Sequence, residues 1–168
     1  MTLAPLHIAR PLLIRTARLS DGAALRRACF PKQPLDQLLD YLEWCLAQEN
    51  RPTRLVALDD VTLVGHVEVT LRYHTSHWAE VSSLVVASAR RGEGIGRRLV
   101  GAAQRLARRW NCTELRLQVA AREQGLIAMY QQWGFTSRGL PINGYLWMTL
   151  PLVVVEQKVS LPEMLSVL

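Results

Sequence analysis

The segment from Leu84 to Arg109 constrains the fold more than any other part of this sequence. It begins with an apolar run, Leu84–Val86, and continues into a loop that contains Gly92, Gly94 and Gly96. Beyond the loop, apolar residues recur at helical spacing on one face, and arginines occupy the other. The segment therefore predicts a strand, a glycine-rich loop and an amphipathic helix in direct succession.

The start of this helix is suited to binding an anion. No Ser, Thr, Asp or Asn precedes it as an N-cap, so its first amide groups lack a side-chain acceptor. Arg97 and Arg98 lie in the first turn, where positive charge opposes the helix dipole at a cost of about 0.3–1 kcal/mol each. A bound anion would reverse that effect, and glycine lets the backbone approach a ligand closely. The pattern favours a phosphate cradle over a tight turn with a solvated arginine face.

Two common phosphate-binding motifs do not fit this loop. No Lys-Ser or Lys-Thr pair follows the glycines, so a P-loop kinase or GTPase is disfavoured. In the dinucleotide pattern GxGxxG, the third glycine would fall at Arg97, and a nicotinamide enzyme is disfavoured as well.

The distribution of charge also indicates a focused anion site. The chain has a net charge of +6 from 20 basic and 14 acidic residues. Seven of the basic residues and one acidic residue lie between Arg90 and Arg109, which leaves 13 of each sign elsewhere. The surplus is confined to the predicted loop and helix, so a surface made generally for polyanions is not indicated.

The composition fits one folded domain. With 168 residues, 49% of them hydrophobic, we expect a single domain over 1–168, with a core of about 12–150 and an apolar tail, 151–168. The longest uncharged stretch is interrupted by prolines and is too short to span a membrane, and arginines near the start argue against a secretory signal. We therefore expect a cytoplasmic protein with no membrane partner. Neither the three cysteines nor the histidines have metal-ligand spacing, so no metal is expected.

Periodicity and turn residues predict the element order βααβββαβαββ. This order describes an α/β (α+β mixed) domain, in which a mixed sheet carries helices on its faces. The predicted helices cover about 21–30, 35–48, 97–110 and 124–133, and the predicted strands cover about 12–15, 54–58, 63–73, 77–86, 114–119, 135–138 and 145–150.

Two sequence motifs, taken with this element order, resemble those of a known protein family. The run RGEGIG, from Arg91 to Gly96, matches the pattern R/Q-x-x-G-x-G/A, and MYQQWGF, from Met129 to Phe135, contains a tyrosine followed by a glycine-phenylalanine pair. With these motifs, about residues 12–150 resemble the GNAT family of N-acetyltransferases. The resemblance implies a largely antiparallel sheet in which two central parallel strands splay apart around acetyl-coenzyme A (acetyl-CoA).

The resemblance also implies which residues bind this co-substrate. The backbone of three strand residues would pair with the pantetheine arm: Leu84, Val85 and Val86. The pyrophosphate would be held by the loop and the start of the helix, over Arg91, Gly92, Glu93, Gly94, Ile95, Gly96 and Arg97. This assignment coincides with the anion site argued from the residues alone.

Glu80 and Glu68 are the candidates for the general base. Attack on a thioester needs a neutral amine and a proton for the departing thiolate. By resemblance, Glu80 occupies the position of the base in histone-type family members, and Glu68 on the preceding strand is the reserve. Alternation along the strand predicts one common face for Glu80, Ser82, Leu84 and Val86. The alternative is that Glu80 is an ordinary paired carboxylate of a strand.

Tyr130 is the candidate for the general acid. It matches a family tyrosine that lies by the coenzyme sulfur and can protonate the thiolate, although its helical spacing with Leu126 and Trp133 also suits a core aromatic. Glu123 departs from the family pattern, because many members have an asparagine there that hydrogen-bonds the coenzyme. An ionised carboxylate cannot donate a hydrogen bond as an amide does.

These observations lead to one leading function and two alternatives. The leading function is that of an acyltransferase, which transfers an acetyl group from acetyl-CoA to a primary amine, on a small molecule or a protein, by direct attack. The first alternative is a catalytically silent acyl-CoA-binding or sensing module of the same fold. A basic nucleic-acid binder ranks last, because no aromatic stacking series accompanies the arginines. The apolar tail permits a homodimer.

Overall fold

The computed structural model describes residues 11–47, 52–72 and 77–153. The element order predicted from the sequence is confirmed. The strands are β1 (Leu13–Thr16), β2 (Thr53–Asp59), β3 (Thr62–Leu71), β4 (Trp78–Val86), β5 (Glu114–Ala120), β6 (Thr136–Ile142) and β7 (Tyr145–Pro151). The helices are α1 (Gly22–Ala28), α2 (Leu35–Leu46), α3 (Ile95–Arg109) and α4 (Gln124–Gln132). The tail beyond Val153, and with it the predicted dimer contact, lies outside the described residues.

The seven strands form one mixed sheet in the order β1-β2-β3-β4-β5-β7-β6. Every neighbouring pair is antiparallel except β4 and β5. β4 reaches β5 through α3, which is the crossover that a parallel pair requires. The glycine-rich loop therefore lies at the end of a central strand, where it joins the crossover helix.

The helices divide the core into two clusters, one on each face of the sheet. On one face, α1 and α2 cover β2 and β3, and the fully buried Leu25, Leu38 and Leu42 pack there against Val56. On the other face, α3 lies over β2 to β5, and α4 joins the same cluster through Ile127. Among the described residues, no helix is long and apolar enough to cross a membrane.

The two central parallel strands separate soon after they meet. β4 pairs with β5 only from Trp78 to Glu80, opposite Glu114 to Arg116. β4 then continues to Val86, whereas β5 keeps its antiparallel pairing with β7 along its whole length. The splay implied by the family resemblance is present, and its vertex is at Glu80.

A β-bulge interrupts β4 at Ser83. His66 of β3 pairs with Val85 while Glu68 pairs with Ser82, so β4 has one more residue than β3 across this stretch. Ser83 adopts a φ of +48°, in the left-handed region.

The bulge changes the face of the sheet on which the last side chains of β4 lie. Ser82 bonds to Glu68 on the face covered by α1 and α2, but Leu84 and Val86 pack into the core cluster on the α3 face. The expectation that strict alternation puts all four residues from Glu80 to Val86 on one face is therefore wrong beyond Ser82.

Candidate active site

A cleft of about 820 Å³ opens between the end of β4, the glycine-rich loop and α4. Its walls are the end of β4, the glycine-rich loop, the first turn of α3 and one side of α4. The lining residues are Leu84, Val85, Val86, Arg90, Arg91, Gly92, Gly94, Ile95, Gly96, Arg97, Leu126, Met129, Tyr130, Gln132 and Trp133. The structure thus brings together every residue predicted to hold the coenzyme except Glu93, and adds Tyr130.

The glycine-rich loop exposes its backbone to this cleft. Gly92 and Gly94 have φ angles of +83° and +78°, which residues with a Cβ rarely adopt. Gly94 is the N-cap of α3, and no side chain caps the helix. The first amides of α3 therefore lack intrahelical acceptors at the end where the helix dipole favours an anion.

Three arginines border the loop, and they are held differently. Arg90 forms ion pairs with Asp59, at 3.0 Å, and with Glu93, at 2.9 Å. Arg91 donates through Nε to the carbonyl oxygen of Val86 at 3.3 Å, and Arg97 is exposed in the first turn of α3. The hydrogen bond from Arg90 holds the pKa of Glu93 below its usual value. Glu93 is not among the residues that line the cleft.

Gly96 and Trp133 set the width of the cleft near α4. A Cβ placed on Gly96 would lie 3.2 Å from Cη2 of Trp133 and 3.7 Å from Cγ2 of Val86. The first distance is tighter than an ordinary van der Waals contact. Glycine at this position therefore allows α3 and α4 to approach each other at the mouth of the cleft.

Tyr130 lines the cleft, and its ring also packs against neighbouring aromatic side chains. Its ring meets Trp133 edge-on at 5.5 Å and Phe135 at 5.7 Å between centroids. Burial raises the pKa of the phenol above its usual value near 10. The hydroxyl is therefore a neutral donor at any physiological pH, so the catalytic and the packing interpretations of Tyr130 are compatible.

Glu80 lies at the vertex of the splay and has a cationic partner. Its Oε2 atom accepts hydrogen bonds from Arg72 Nε, at 3.0 Å, and from Arg72 Nη2, at 2.6 Å. Arg72 is half exposed, while the Glu80 side chain is largely covered. Glu80 is not among the residues that line the 820 Å³ cleft, so Glu80 and Tyr130 do not share a wall of it.

Glu68 belongs to a buried polar cluster under α2. Tyr41 and Ser82 donate to its two carboxylate oxygens at 3.1 and 3.2 Å, and Arg54 Nε lies 3.8 Å from Oε2. The Arg54 guanidinium also stacks on the rings of Tyr41, at 5.0 Å, and Phe30, at 5.3 Å. The sequence gives no signal for this cluster, because its members come from β2, β3, β4 and α2.

Glu123 is at the N-cap position of α4 and is half exposed. Its carboxylate lies 3.7 Å from Arg122 and is not part of the cleft lining. Within the described ranges, no three His, Cys, Asp or Glu side chains are grouped in a way that could hold a metal ion.

Sequence reasoning missed five lining residues: Leu126, Met129 and Gln132 of α4, Trp133 at its C-cap, and Arg90 before the loop. Leu126 and Trp133 had a signal in the sequence, since they lie four positions before and three after Tyr130, on the same side of a helix. Trp133 also stands directly before the Gly134-Phe135 pair that marks the motif.

The comparison with protein-family models gives one match. The model described as the acetyltransferase (GNAT) family matches residues 20–135, which include β2 to β5, the glycine-rich loop and α4. A search of the curated proteins gives no significant match.

Solved structures of N-acetyltransferases share the fold. A chimera of spermidine N-acetyltransferase SpeG from Vibrio cholerae and hSSAT superposes with a TM-score of 0.72 at 21% identity, over 84% of this chain and 95% of that one. Ribosomal-protein-alanine N-acetyltransferase from Brucella melitensis gives 0.68 at 26% identity, over 83% and 99%. An acetyltransferase of the GNAT family from Streptococcus pneumoniae gives 0.63 at 21% identity, over 84% and 99%.

Proposed function

Because this chain belongs to the acetyltransferase (GNAT) family, we propose that it transfers the acetyl group of acetyl-CoA to a primary amine by direct attack. The observation that carries the proposal is the cleft between the end of β4, the glycine-rich loop and α4. It joins an uncapped helix N-terminus and three arginines at one end to a partly buried tyrosine on α4. Such a site offers anion binding and a proton donor in a single groove.

The cleft residues fit coenzyme A. Beyond Glu80, β4 has no partner strand on its β5 side among the described residues, so this edge of Leu84–Val86 is open to the amides of a pantetheine arm, with the Val86 carbonyl already accepting from Arg91. The Gly92–Gly96 turn and Arg97 provide amide and guanidinium donors for a pyrophosphate.

Tyr130 is the proposed general acid. Bound acetyl-CoA supplies an activated thioester, and the departing thiolate needs a proton. Burial keeps the Tyr130 phenol protonated, and the rings of Trp133 and Phe135 hold it against the cleft wall. Its hydroxyl would then donate to the sulfur as the thioester bond breaks.

Glu80 is the proposed general base, and Glu68 is the alternative. Glu80 lies at the vertex of the splay and on the face opposite α3, from which an amine could approach the cleft between the separating strands. To accept a proton, Glu80 must give up part of its ion pair with Arg72. Glu68 is already engaged by Tyr41 and Ser82, so proton transfer to it would disturb a buried cluster.

The acceptor is proposed only as a primary amine. Two of the structural neighbours are named for spermidine and for ribosomal-protein alanine, which are a polyamine and a protein residue. A useful acceptor panel therefore contains spermidine and a short peptide with an N-terminal alanine.

Thermal unfolding with acetyl-CoA, coenzyme A and ATP side by side is the first test. A ligand present at about 100 times its Kd adds about 2.7 kcal/mol to the free energy of unfolding. We expect a shift with both coenzyme A compounds and none of that size with ATP.

Thiol release from acetyl-CoA in the presence of the acceptor panel is the second test. Turnover with an amine supports the transferase. Binding of coenzyme A without turnover on any amine would favour the silent acyl-CoA-binding module, and no binding would contradict both.

A further inference from the structure

A buried chain of hydrogen bonds connects β2 to the bulge on β4. Arg54 Nε donates to His66 Nε2 at 2.8 Å, and His66 Nδ1 lies 2.9 Å from the carbonyl oxygen of Ser83. His66 is fully buried and Arg54 is 5% exposed. This series of hydrogen bonds ends at Ser83, the residue whose left-handed backbone forms the bulge.

The direction of these hydrogen bonds follows from the chemistry of the two side chains. Arginine has donors only, so Nε2 of His66 must accept from Arg54. Burial, with Arg54 beside the ring, lowers the pKa of His66 to about 3, and the imidazole is neutral. Its single proton is therefore on Nδ1, where it donates to the Ser83 carbonyl.

The bulge determines how the end of β4 meets the cleft. Before it, Ser82 faces α1 and α2; after it, Leu84 and Val86 face the α3 side and line the cleft. Without the extra residue, strict alternation would turn these two side chains to the opposite face. A non-glycine residue with φ of +48° needs surrounding contacts to hold it there.

We propose that His66 is a positioning residue for coenzyme binding, because its Nδ1–H bond to Ser83 holds the bulge that presents Leu84–Val86 to the cleft. This inference rests on the proposed function, since it assumes that the cleft binds coenzyme A. His66 does not line the cleft itself, so its effect is on the shape of the binding wall and not on the reacting atoms.

Two substitutions at His66 separate the two hydrogen bonds. In His66→Asn, the amide nitrogen takes the place of Nδ1 and can still donate to the Ser83 carbonyl, while the acceptor for Arg54 is lost. In His66→Gln, the terminal amide takes the place of Nε2 and can still accept from Arg54, while the donor to Ser83 is lost. Each variant loses the ring and one buried hydrogen bond, so they are matched for general damage to the core.

The proposal predicts that only one of the pair weakens coenzyme binding. By titration calorimetry, His66→Gln should raise the Kd for coenzyme A about three- to tenfold, the range expected for one lost hydrogen bond, and His66→Asn should stay closer to the native value. In steady-state kinetics, His66→Gln should raise the KM for acetyl-CoA while kcat at saturation is nearly unchanged.

Variants at Ser83 test the same bulge without changing the core, because this side chain is exposed. Ser83→Gly tolerates a positive φ and should retain coenzyme binding, and it should restore part of the affinity when combined with His66→Gln. Ser83→Val introduces a β-branched residue that disfavours the bulge and should weaken binding. These measurements can overturn the proposal even if both His66 variants fail to fold, because a bulge without effect on coenzyme binding would leave His66 nothing to position.

The outcomes distinguish failure of this inference from failure of the proposed function. If the native protein does not bind coenzyme A, the proposed function is contradicted. If the native protein binds it but His66→Gln and His66→Asn weaken binding equally, or Ser83→Val binds as well as Ser83→Gly, His66 has only a structural role and the inference is overturned.

Discussion

Cη2 of Trp133 lies 3.2 Å from the point that a Cβ on Gly96 would occupy. Gly96 lies in the first turn of α3 and Trp133 is the C-cap residue of α4, and both line the cleft. A single methyl group at residue 96 would therefore act on the cleft directly, and without an unfavourable backbone angle, since Gly96 lies within a helix.

Gly96→Ala should weaken coenzyme binding more than it weakens the fold. The added methyl group displaces the Trp133 ring, which lines the cleft, while alanine in a helix gains about 0.5–1 kcal/mol over glycine. We expect the coenzyme-induced thermal shift to shrink clearly and the melting temperature without ligand to change little. Gly101→Ala is the matched control on the same helix, because its Cβ would meet only Arg105 Nη1 at 3.7 Å. Equal thermal shifts in the two variants would contradict this account of the cleft.

Gly94→Ala should lower stability through the backbone alone. No atom lies within 4 Å of the added Cβ, but the φ of +78° places alanine in the left-handed region, at a cost of about 1–2 kcal/mol. Gly125→Ala is the control, since its Cβ also meets nothing within 4 Å and it lies in α4. Urea unfolding should show Gly94→Ala destabilised and Gly125→Ala unchanged or slightly stabilised. Two variants of equal stability would be inconsistent with the requirement for glycine at 94.

The glycine-rich loop illustrates what could be predicted from the sequence. Its glycines, its missing N-cap and its arginines lie within about ten consecutive residues, so local propensity is enough to indicate the turn and the anion site. The bulge at Ser83 could not be predicted in this way. It depends on the pairing of β4 with β3 and on His66 and Arg54, which are 17 and 29 positions away.

The ion-pair partner of the candidate base Glu80 could not be predicted from the sequence either. Glu80 was located on the correct strand by its position before the loop, but its ion pair with Arg72 forms across the β3–β4 hairpin. A pattern along one strand carries no information about a side chain on the next, so the partner of a strand carboxylate is known only from the register.

Tyr130→Phe should remove a proton donor and leave the cleft intact. Phenylalanine keeps the ring contacts with Trp133 and Phe135, so coenzyme affinity should change less than about threefold, whereas loss of a general acid lowers kcat by about 100-fold or more. Calorimetry and steady-state kinetics on the same preparation check both values. A kcat close to the native one would exclude Tyr130 as the acid and leave it a role in packing.

Glu80→Gln and Glu68→Gln separate the two candidate bases. If Glu80 is the base, its variant should lose about 100-fold in kcat/KM. Glu68→Gln keeps acceptor capacity for Tyr41 or Ser82 but removes the charge beside Arg54, so it should lower the free energy of unfolding more than it lowers the rate. A loss of about 100-fold in kcat/KM in Glu68→Gln alone would transfer the role of base to Glu68.

The buried, neutral His66 should make the folded protein less stable at low pH. Burial, with Arg54 beside the ring, lowers its pKa from 6.5 to about 3, so the folded ring stays neutral where the unfolded chain takes up a proton. Below about pH 6.5 the unfolded state therefore binds more protons than the folded state. The contribution of His66 to the free energy of unfolding is fully present above about pH 6.5, and it is lost as the pH falls towards about 3, by at most about 1.4 kcal/mol per pH unit.

The comparison of native protein with His66→Gln isolates this contribution. Glutamine does not titrate, so any acid sensitivity that both proteins share comes from other groups, such as Asp21, whose pKa is lowered by its hydrogen bond with Arg15. The native protein should be the more stable at neutral pH, and the difference in unfolding free energy should narrow between about pH 6.5 and pH 4. Urea unfolding at several pH values measures it. A difference that stays constant across this range would mean that His66 is not held neutral by its burial.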